Sequence, residues 1–298
     1  MFKKRALLKQ PYQTIGREVE MKVIIFGISG TIGQALAQTL TNNSYDVYGT
    51  YFQNQFAHIP PEKLSKLSID QLESLQSLLS KIRPDAVIMC LRGDFLKQLK
   101  FHVQTSQYIK ENGGRMIFCS TSNVFDGLTD QPHYEDDEPK ADSDYGKFKI
   151  ECEKTMTEIL GDRLTIVRIP EILGHRTPRI NALLESIEDG KTIQVYSNVH
   201  STRNTDVMLS RQIEYLISHS HSGIFHLGTN NIMIHSEFIK TLVSRWGYTD
   251  VSYESLKAES FSGDIPEKYN NALLSRKRLP SYLQLNHEQL IDYLTQQD

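Results

Sequence analysis

The chain has 298 residues, of which 39% are hydrophobic and 23% charged, and its formal net charge is −3. That balance gives no global electrostatic ground for binding nucleic acid or an anionic membrane, and no apolar run approaches the roughly 18 residues of a membrane span. Cys90, Cys119 and Cys152 lack C-x-x-C spacing, so neither a disulfide framework nor a zinc site is indicated, and a reducing cytoplasm is the expected compartment.

Residues 1–20 carry Lys3, Lys4, Arg5, Lys9 and Arg17 without an apolar core of signal-peptide length, and read as an N-terminal extension. The first patterned stretch is 21–33. Val23, Ile24, Ile25 and Phe26 form a β-branched apolar run, as expected of a strand buried on both faces. Gly27, Gly30 and Gly33 follow at three-residue spacing, and a helical period begins at Gln34. A strand running through glycines into a helix lets backbone approach a pyrophosphate at the helix N-terminus. The same small residues also serve close packing alone.

A second strand is expected over 46–51. It ends in Tyr51, Phe52, Gln53 and Asn54, without the acid that selects NAD and without an arginine for a 2′-phosphate. Tyr51 or Phe52 is positioned to lie against adenine. A third strand is expected over 67–70, with Asp70 either capping a helix over 71–82 or facing adenine. A fourth strand over 84–90, a helix over 95–112 ended by Gly113 and Gly114, and a fifth strand over 116–121 complete the series. Five βα units in succession predict an α/β fold with a Rossmann-type doubly wound parallel sheet.

Ser120, Thr121 and Ser122 end the fifth strand, where a parallel sheet delivers side chains to its crevice. Tyr145 and Lys149 are four apart and share a helix face. An ammonium beside a phenol favours the phenolate, so this pair is a candidate proton donor for carbonyl reduction, with the phenol drawn toward neutrality. An exposed pair on a solvated helix is the plain structural alternative. The ten histidines lack metal-ligand spacing, and no metal site is expected. His226 and Trp246 read as packing residues, the acidic run 135–138 as a solvated loop, and Arg203 as either a nucleotide contact or a surface arginine.

Together these stretches resemble the extended short-chain dehydrogenase/reductases, and within them the dTDP-4-dehydrorhamnose reductase (RmlD-like) branch. The likeness is carried by Gly27-Ile-Ser-Gly-Thr-Ile-Gly33, Arg83-Pro-Asp-Ala-Val-Ile88, Ser120-Thr-Ser-Asn-Val-Phe-Asp-Gly127 and Tyr145-Gly-Lys-Phe-Lys149. Ile166-Val-Arg-Ile-Pro-Glu-Ile-Leu-Gly174 and Gly223-Ile-Phe-His-Leu-Gly228 extend it, so that it covers 21 to about 237. The resemblance implies Tyr145 as acid/base, Lys149 as its partner and ribose ligand, and Thr121 on the substrate carbonyl. It implies cofactor contacts from Gly27, Ser29, Gly30, Thr31, Ile32, Gly33, Tyr51, Asp70, Lys149 and Pro170, and substrate contacts from Ser122, Asn123 and Arg203. The implied cofactor is NADP(H) or NAD(H) with weak selectivity. The implied substrate is a nucleotide-linked 4-keto-6-deoxy sugar, with a homodimer as the assembly to consider. A dinucleotide domain over 21–170 with 206–228 and a substrate-binding region over 171–205 with 229–298 are expected.

Departures concentrate in the substrate half. The family's N-A-A after the fourth strand is here Cys90-Leu-Arg-Gly-Asp94, and the segment up to the fifth strand is about a dozen residues short. Arg276 or Arg278 stands where an arginine near the nucleotide diphosphate is otherwise missing. Dehydratases of the superfamily place Asp-Glu after the catalytic Thr; Ser122-Asn123 argues against dehydration and leaves epimerisation open. A relative on this fold, the regulatory subunit of methionine adenosyltransferase, binds dinucleotide and serves a partner enzyme. That makes a non-catalytic subunit the competing expectation.

Overall fold

Val23, Ile24, Ile25 and Phe26 are all inaccessible to solvent, as a strand covered on both faces requires. Val23 and Ile25 join one core with Leu36, Leu40 and Ile213, while Ile24 and Phe26 join another with Leu75, Phe101 and Met156. The computed structural model describes residues 20–53, 58–175 and 177–296. The expected extension therefore lies outside the described residues, apart from Glu20.

In chain order the first half runs β1 (Lys22–Phe26), α1 (Thr31–Asn42), β2 (Asp46–Tyr51), β3 (Leu64–Lys66), α2 (Leu72–Ile82), β4 (Ala86–Met89), α3 (Phe95–Asn112), β5 (Arg115–Thr121), α4 (Asp144–Leu160) and β6 (Leu164–Ile169). It continues with β7 (Glu171–Leu173), α5 (Pro178–Glu188), β8 (Ile193–Tyr196), β9 (Val199–Ser201), β10 (Arg203–Thr205), α6 (Asp206–Ser218) and β11 (Gly223–His226). The chain ends with β12 (Met233–Ile234), α7 (His235–Arg245), β13 (Tyr253–Leu256), β14 (Tyr269–Asn271) and α8 (His287–Thr295). The main sheet has seven strands in the order β11-β6-β5-β4-β1-β2-β3. Every neighbouring pair in it is parallel. This is the Rossmann-type doubly wound sheet the sequence predicts. α1 and α6 cover one face; α2, α3 and α4 cover the other.

The third strand is displaced from its expected place. It occupies Leu64–Lys66, and the 67–70 stretch turns away from the sheet. A three-residue edge strand carries too little alternation to be read in advance. Asp70 does not cap α2, whose N-cap is Gln71 with no side-chain hydrogen bond; Asp70 instead pairs with Lys97 at 3.4 Å.

The later segments build small sheets and a separate apolar cluster. β7 pairs with β10, β8 with β13, and β9 with both β12 and β14. Leu173, Ile180, Phe238, Leu242, Leu290 and Ile291 pack between α5, α7 and α8. Trp246 closes α7 as its C-cap residue and donates its indole N–H to the Leu294 carbonyl at 3.1 Å. The acidic run is not simply solvated. Glu135 is buried and accepts from the Ser275 hydroxyl, the Arg276 amide and the His226 amide, tying the C-terminal segment to β11. No helix among the described residues is long and apolar enough to cross a membrane.

His102 lies on α3, buried edge-on against the Phe118 ring, with neither ring nitrogen hydrogen-bonded. Burial lowers its pKa to about 3. The unfolded chain binds a proton that folded His102 refuses, so stability falls as pH drops from about 6.5 toward that value. Burial likewise lowers His226 and His287, each to about 4, and both act in the same direction. Replacing His102→Leu removes two unsatisfied polar atoms and one linked proton. We expect a gain of about 1–2 kcal/mol at neutral pH and a shallower loss toward pH ~4.5, read by urea unfolding at several pH values.

Candidate active site

A cleft of about 2410 Å³ runs across the C-terminal ends of the sheet strands, where a doubly wound fold binds ligands. Its floor comes from the last residues of β2 and β5, Tyr51 and Thr121, and from the residues just after β1, β4 and β6, Gly27, Cys90 and Pro170. The glycines are demanded by backbone. Gly27 has φ +88°, and a Cβ there would stand 2.6 Å from the Cys90 carbonyl oxygen. A Cβ on Gly33 would stand 2.4 Å from the Gly27 carbonyl, so α1 meets the loop with no room for a side chain. Gly30 is different: a Cβ there meets nothing nearer than 3.5 Å, which leaves open surface at the start of α1. No side chain caps α1, and its first residues, Thr31, Ile32 and Gly33, line the cleft. The cradle fits a dinucleotide pyrophosphate.

Tyr145, Lys149 and Thr121 converge on one wall of this cleft. Ser143 caps α4 by accepting from the Gly146 amide at 3.0 Å. Asp126 in turn accepts from the Asp142 and Ser143 amides at 2.7 and 3.2 Å, which fixes where α4 begins. A Cβ on Gly146 would stand 2.3 Å from the Asn123 carbonyl, so α4 seats directly on the turn that follows Thr121. The Thr121 hydroxyl donates to Asn123 Oδ1 at 3.0 Å and lines the same wall as the Tyr145 phenol.

Lys149 is buried. Its ammonium donates to the Cys119 carbonyl at 3.0 Å and stands 5.8 Å from the Tyr145 ring centroid. Burial lowers its pKa below the ordinary ammonium value. The expected pull of Lys149 on Tyr145 toward neutrality is not what the site shows. Desolvation dominates and raises the phenol above its ordinary value, against the opposing influence of the Arg92 charge and the Thr121 hydroxyl. Beneath them the Cys90 and Cys119 sulfurs lie 3.5 Å apart as free thiols, and their contact, with burial, holds the Cys90 proton on.

The helix is fixed from below by Glu153, one turn beyond Lys149. Its buried carboxylate accepts from the Ser120 hydroxyl on β5 and from Arg168 on β6 at 2.8 Å. Arg168 is only 1% exposed.

Gly27, Ser29, Gly30, Thr31, Ile32, Gly33, Tyr51, Thr121, Tyr145, Lys149 and Pro170 all line the cleft. Asp70 does not; Ser68 and Ile69 occupy the lining there. Ser122 and Asn123 also fall outside it, and Asn123 serves instead to hold the Thr121 hydroxyl. Arg203 is neither a surface arginine nor part of the lining. It is 1% exposed, stacked 4.1 Å from the Phe238 ring and paired with Glu171 at 3.0 Å. Burial opposes the charge on Glu171, but Arg203 and Arg179 outweigh it and hold that carboxyl below the usual range. Arg276 pairs with Asp136. The lining includes Arg92, Glu171, His175 and Arg179, which sequence reasoning did not single out. For Arg92 a signal existed, since the altered segment that carries it stands where the family has N-A-A.

A family model described as the NAD dependent epimerase/dehydratase family matches residues 23–205. Among curated relatives, a protein described as a probable low-salt glycan biosynthesis reductase from Haloferax volcanii is 22% identical over 73% of this chain and 78% of its own length. Methionine adenosyltransferase 2 subunit beta from Danio rerio is 24% identical over 87% of this chain and 84% of its own. Among solved structures, dTDP-4-dehydrorhamnose reductase from Bacillus anthracis in complex with NADP superposes with a TM-score of 0.73 at 20% identity, over 93% of this chain and 99% of that one.

Removing the Glu153 carboxylate strands a buried guanidinium. Glu153→Ala is expected to cost about 3–5 kcal/mol in urea unfolding, whereas Tyr145→Phe, at a position 41% exposed, leaves the midpoint unchanged.

Proposed function

The chain belongs to the NAD dependent epimerase/dehydratase family, and from that footing we propose that it is an NAD(P)H-dependent reductase of a nucleotide-linked 4-keto-6-deoxy sugar. The observation that carries this reading is the convergence of Thr121, Tyr145 and Lys149 on the wall of a cleft whose floor is the glycine cradle. Reductase names among the relatives, and dTDP-4-dehydrorhamnose reductases among the structural neighbours, support the substrate class.

Gly27, Gly30 and Gly33 with the α1 N-terminus would hold the pyrophosphate, Lys149 a ribose, and Tyr51 or Phe52 the adenine. When bound, the reduced nicotinamide supplies the hydride. The Tyr145 hydroxyl gives its proton to the carbonyl oxygen, and the Thr121 hydroxyl, turning its hydrogen away from Asn123 Oδ1, donates to that oxygen. Lys149 supplies positive charge to the wall without solvent access. The end of β2 offers no acid to repel a 2′-phosphate, and Lys63 is engaged by Asp46 at 2.8 Å. Selectivity between NADP(H) and NAD(H) is therefore weak. Residues 21–170 with 206–228 form the dinucleotide half, and 171–205 with 229–298 form the half that receives the sugar. Three free thiols suit a cytoplasmic protein.

A second reading has its own support: the methionine adenosyltransferase subunit matches most of the chain, which suits a dinucleotide-binding subunit of another enzyme. The intact Thr121–Tyr145 pair favours catalysis over it.

Tyr145→Phe keeps the ring and removes the proton. NAD(P)H oxidation with a 4-keto sugar nucleotide, followed by absorbance, should fall by about 10²–10⁴-fold while dinucleotide affinity by fluorescence titration stays unchanged. Normal turnover by Tyr145→Phe would overturn the assignment.

A further inference from the structure

We propose that Cys90 and Cys119 form a redox-active dithiol on the floor of the cleft, a modification site that peroxide converts to a disulfide and that bound dinucleotide shields. The shielding rests on the dinucleotide-cleft reading above. The disulfide does not.

Two adjacent strands place the sulfurs. Met89 on β4 pairs in register with Phe118 on β5, so Cys90 and Cys119 face each other as the next pair. The Cys90 amide donates to the Phe26 carbonyl at 2.9 Å, which keeps Cys90 in line with the sheet one residue past β4. Side chains alternate along a strand, and Ile88 and Ile117, two residues before the cysteines, lie in one core. Both thiols therefore project from the same face, and their sulfurs stand 3.5 Å apart. Neighbouring strands lie about 4.8 Å apart, within the roughly 4.4–6.8 Å between Cα atoms that a disulfide spans. Closing the gap to an S–S bond of about 2.05 Å asks for about 1.5 Å of movement, shared by two side chains.

The pair is also reachable. Cys90 and Cys119 both line the cleft, whereas Cys152 is fully buried in the core on the opposite face of the sheet. Cys90 is partly exposed and Cys119 buried, so a reagent entering the cleft meets Cys90 first. The neighbouring thiol and burial hold the Cys90 proton on, so oxidation is slow at neutral pH and quickens as pH rises. Hydrogen peroxide oxidises one sulfur to the sulfenic acid and leaves as water. The second thiol then attacks that sulfur, the S–S bond forms, and the sulfenic oxygen departs as a second water. Two S–H bonds and one O–O bond are broken, and both electrons removed from the sulfurs reside in the waters. In a reducing compartment such a link is transient, as befits a redox-responsive pair.

The bond joins two residues on which the cradle depends. The Cys90 carbonyl packs so close to Gly27 that a Cβ there would stand 2.6 Å from its oxygen. The Cys119 carbonyl accepts from the Lys149 ammonium at 3.0 Å. Drawing Cys90 and Cys119 together shifts the seat of the glycine loop and the anchor of Lys149. A dinucleotide reaching from Gly27 to Lys149 lies over the sulfurs. Oxidation and dinucleotide binding therefore oppose each other, and the opposition is reciprocal.

The test treats the intact chain with hydrogen peroxide at mildly alkaline pH, with and without saturating NADP⁺ or NAD⁺. Remaining thiols are alkylated, and unreduced peptides are mapped by mass spectrometry. The expected product joins the Cys90 and Cys119 peptides with loss of two hydrogens, and Cys90→Ser or Cys119→Ser abolishes it. Dinucleotide should slow the linking several-fold. The oxidised chain should bind dinucleotide about tenfold more weakly in fluorescence titration, and dithiothreitol should restore the affinity. Sulfinic or sulfonic acid at either cysteine without the link, or linking at an equal rate under dinucleotide, would overturn the proposal. A reduced chain that binds no dinucleotide would sink the cleft reading and the shielding, while the peptide link is judged on its own.

Discussion

The buried ion pair of Glu153 with Arg168 is the contact on which the candidate site depends. Three elements meet at that carboxylate: α4 carries it, β6 supplies Arg168, and β5 supplies Ser120, which stands next to Thr121. Tyr145 and Lys149 lie on the same helix within three turns, so their position relative to Thr121 follows from where Glu153 is held. A buried pair of this kind contributes little net stability over an apolar replacement. What it contributes here is one register, because a helix free to slide would separate the phenol from the threonine hydroxyl.

The chemistry of the cleft is set by desolvation as much as by charge. Burial pushes the Tyr145 phenol up and the Lys149 ammonium down, so each holds its neutral form more readily than in water. A donor that keeps its proton until a carbonyl arrives suits reduction. The cation on which the sequence pattern focuses attention, Lys149, is turned toward backbone.

Much of this was legible in advance, for reasons that differ by residue. β1, β4 and β5 are runs buried on both faces, β2 alternates between buried and partly exposed residues, and α3 falls on its expected residues because Asp94 and Gly113 bound it. The glycine cradle and the Tyr145–Lys149 spacing are local facts of the chain, so sequence shows them. Apart from the short third strand, the failures are long-range. Arg203 is decided by Glu171, 32 residues away, and by His287, 84 residues away. Glu135 is decided by Ser275, which lies 140 residues on. Asp70 was placed on a strand that is not there. The seating of the β4–α3 segment is decided by Phe95, which stacks on Phe148 of a helix that begins at Asp144.

The central claim is that this cleft passes a hydride from a reduced dinucleotide to a sugar carbon, and isotope transfer tests it most directly. The chain is given a nucleotide-linked 4-keto-6-deoxy sugar with NADPH or NADH deuterated at the transferring carbon, and the sugar product is examined by mass spectrometry and NMR. The account predicts one deuterium on the carbon that bears the new hydroxyl, with one equivalent of dinucleotide oxidised. An unlabelled or merely epimerised sugar, with the dinucleotide left reduced, would contradict it.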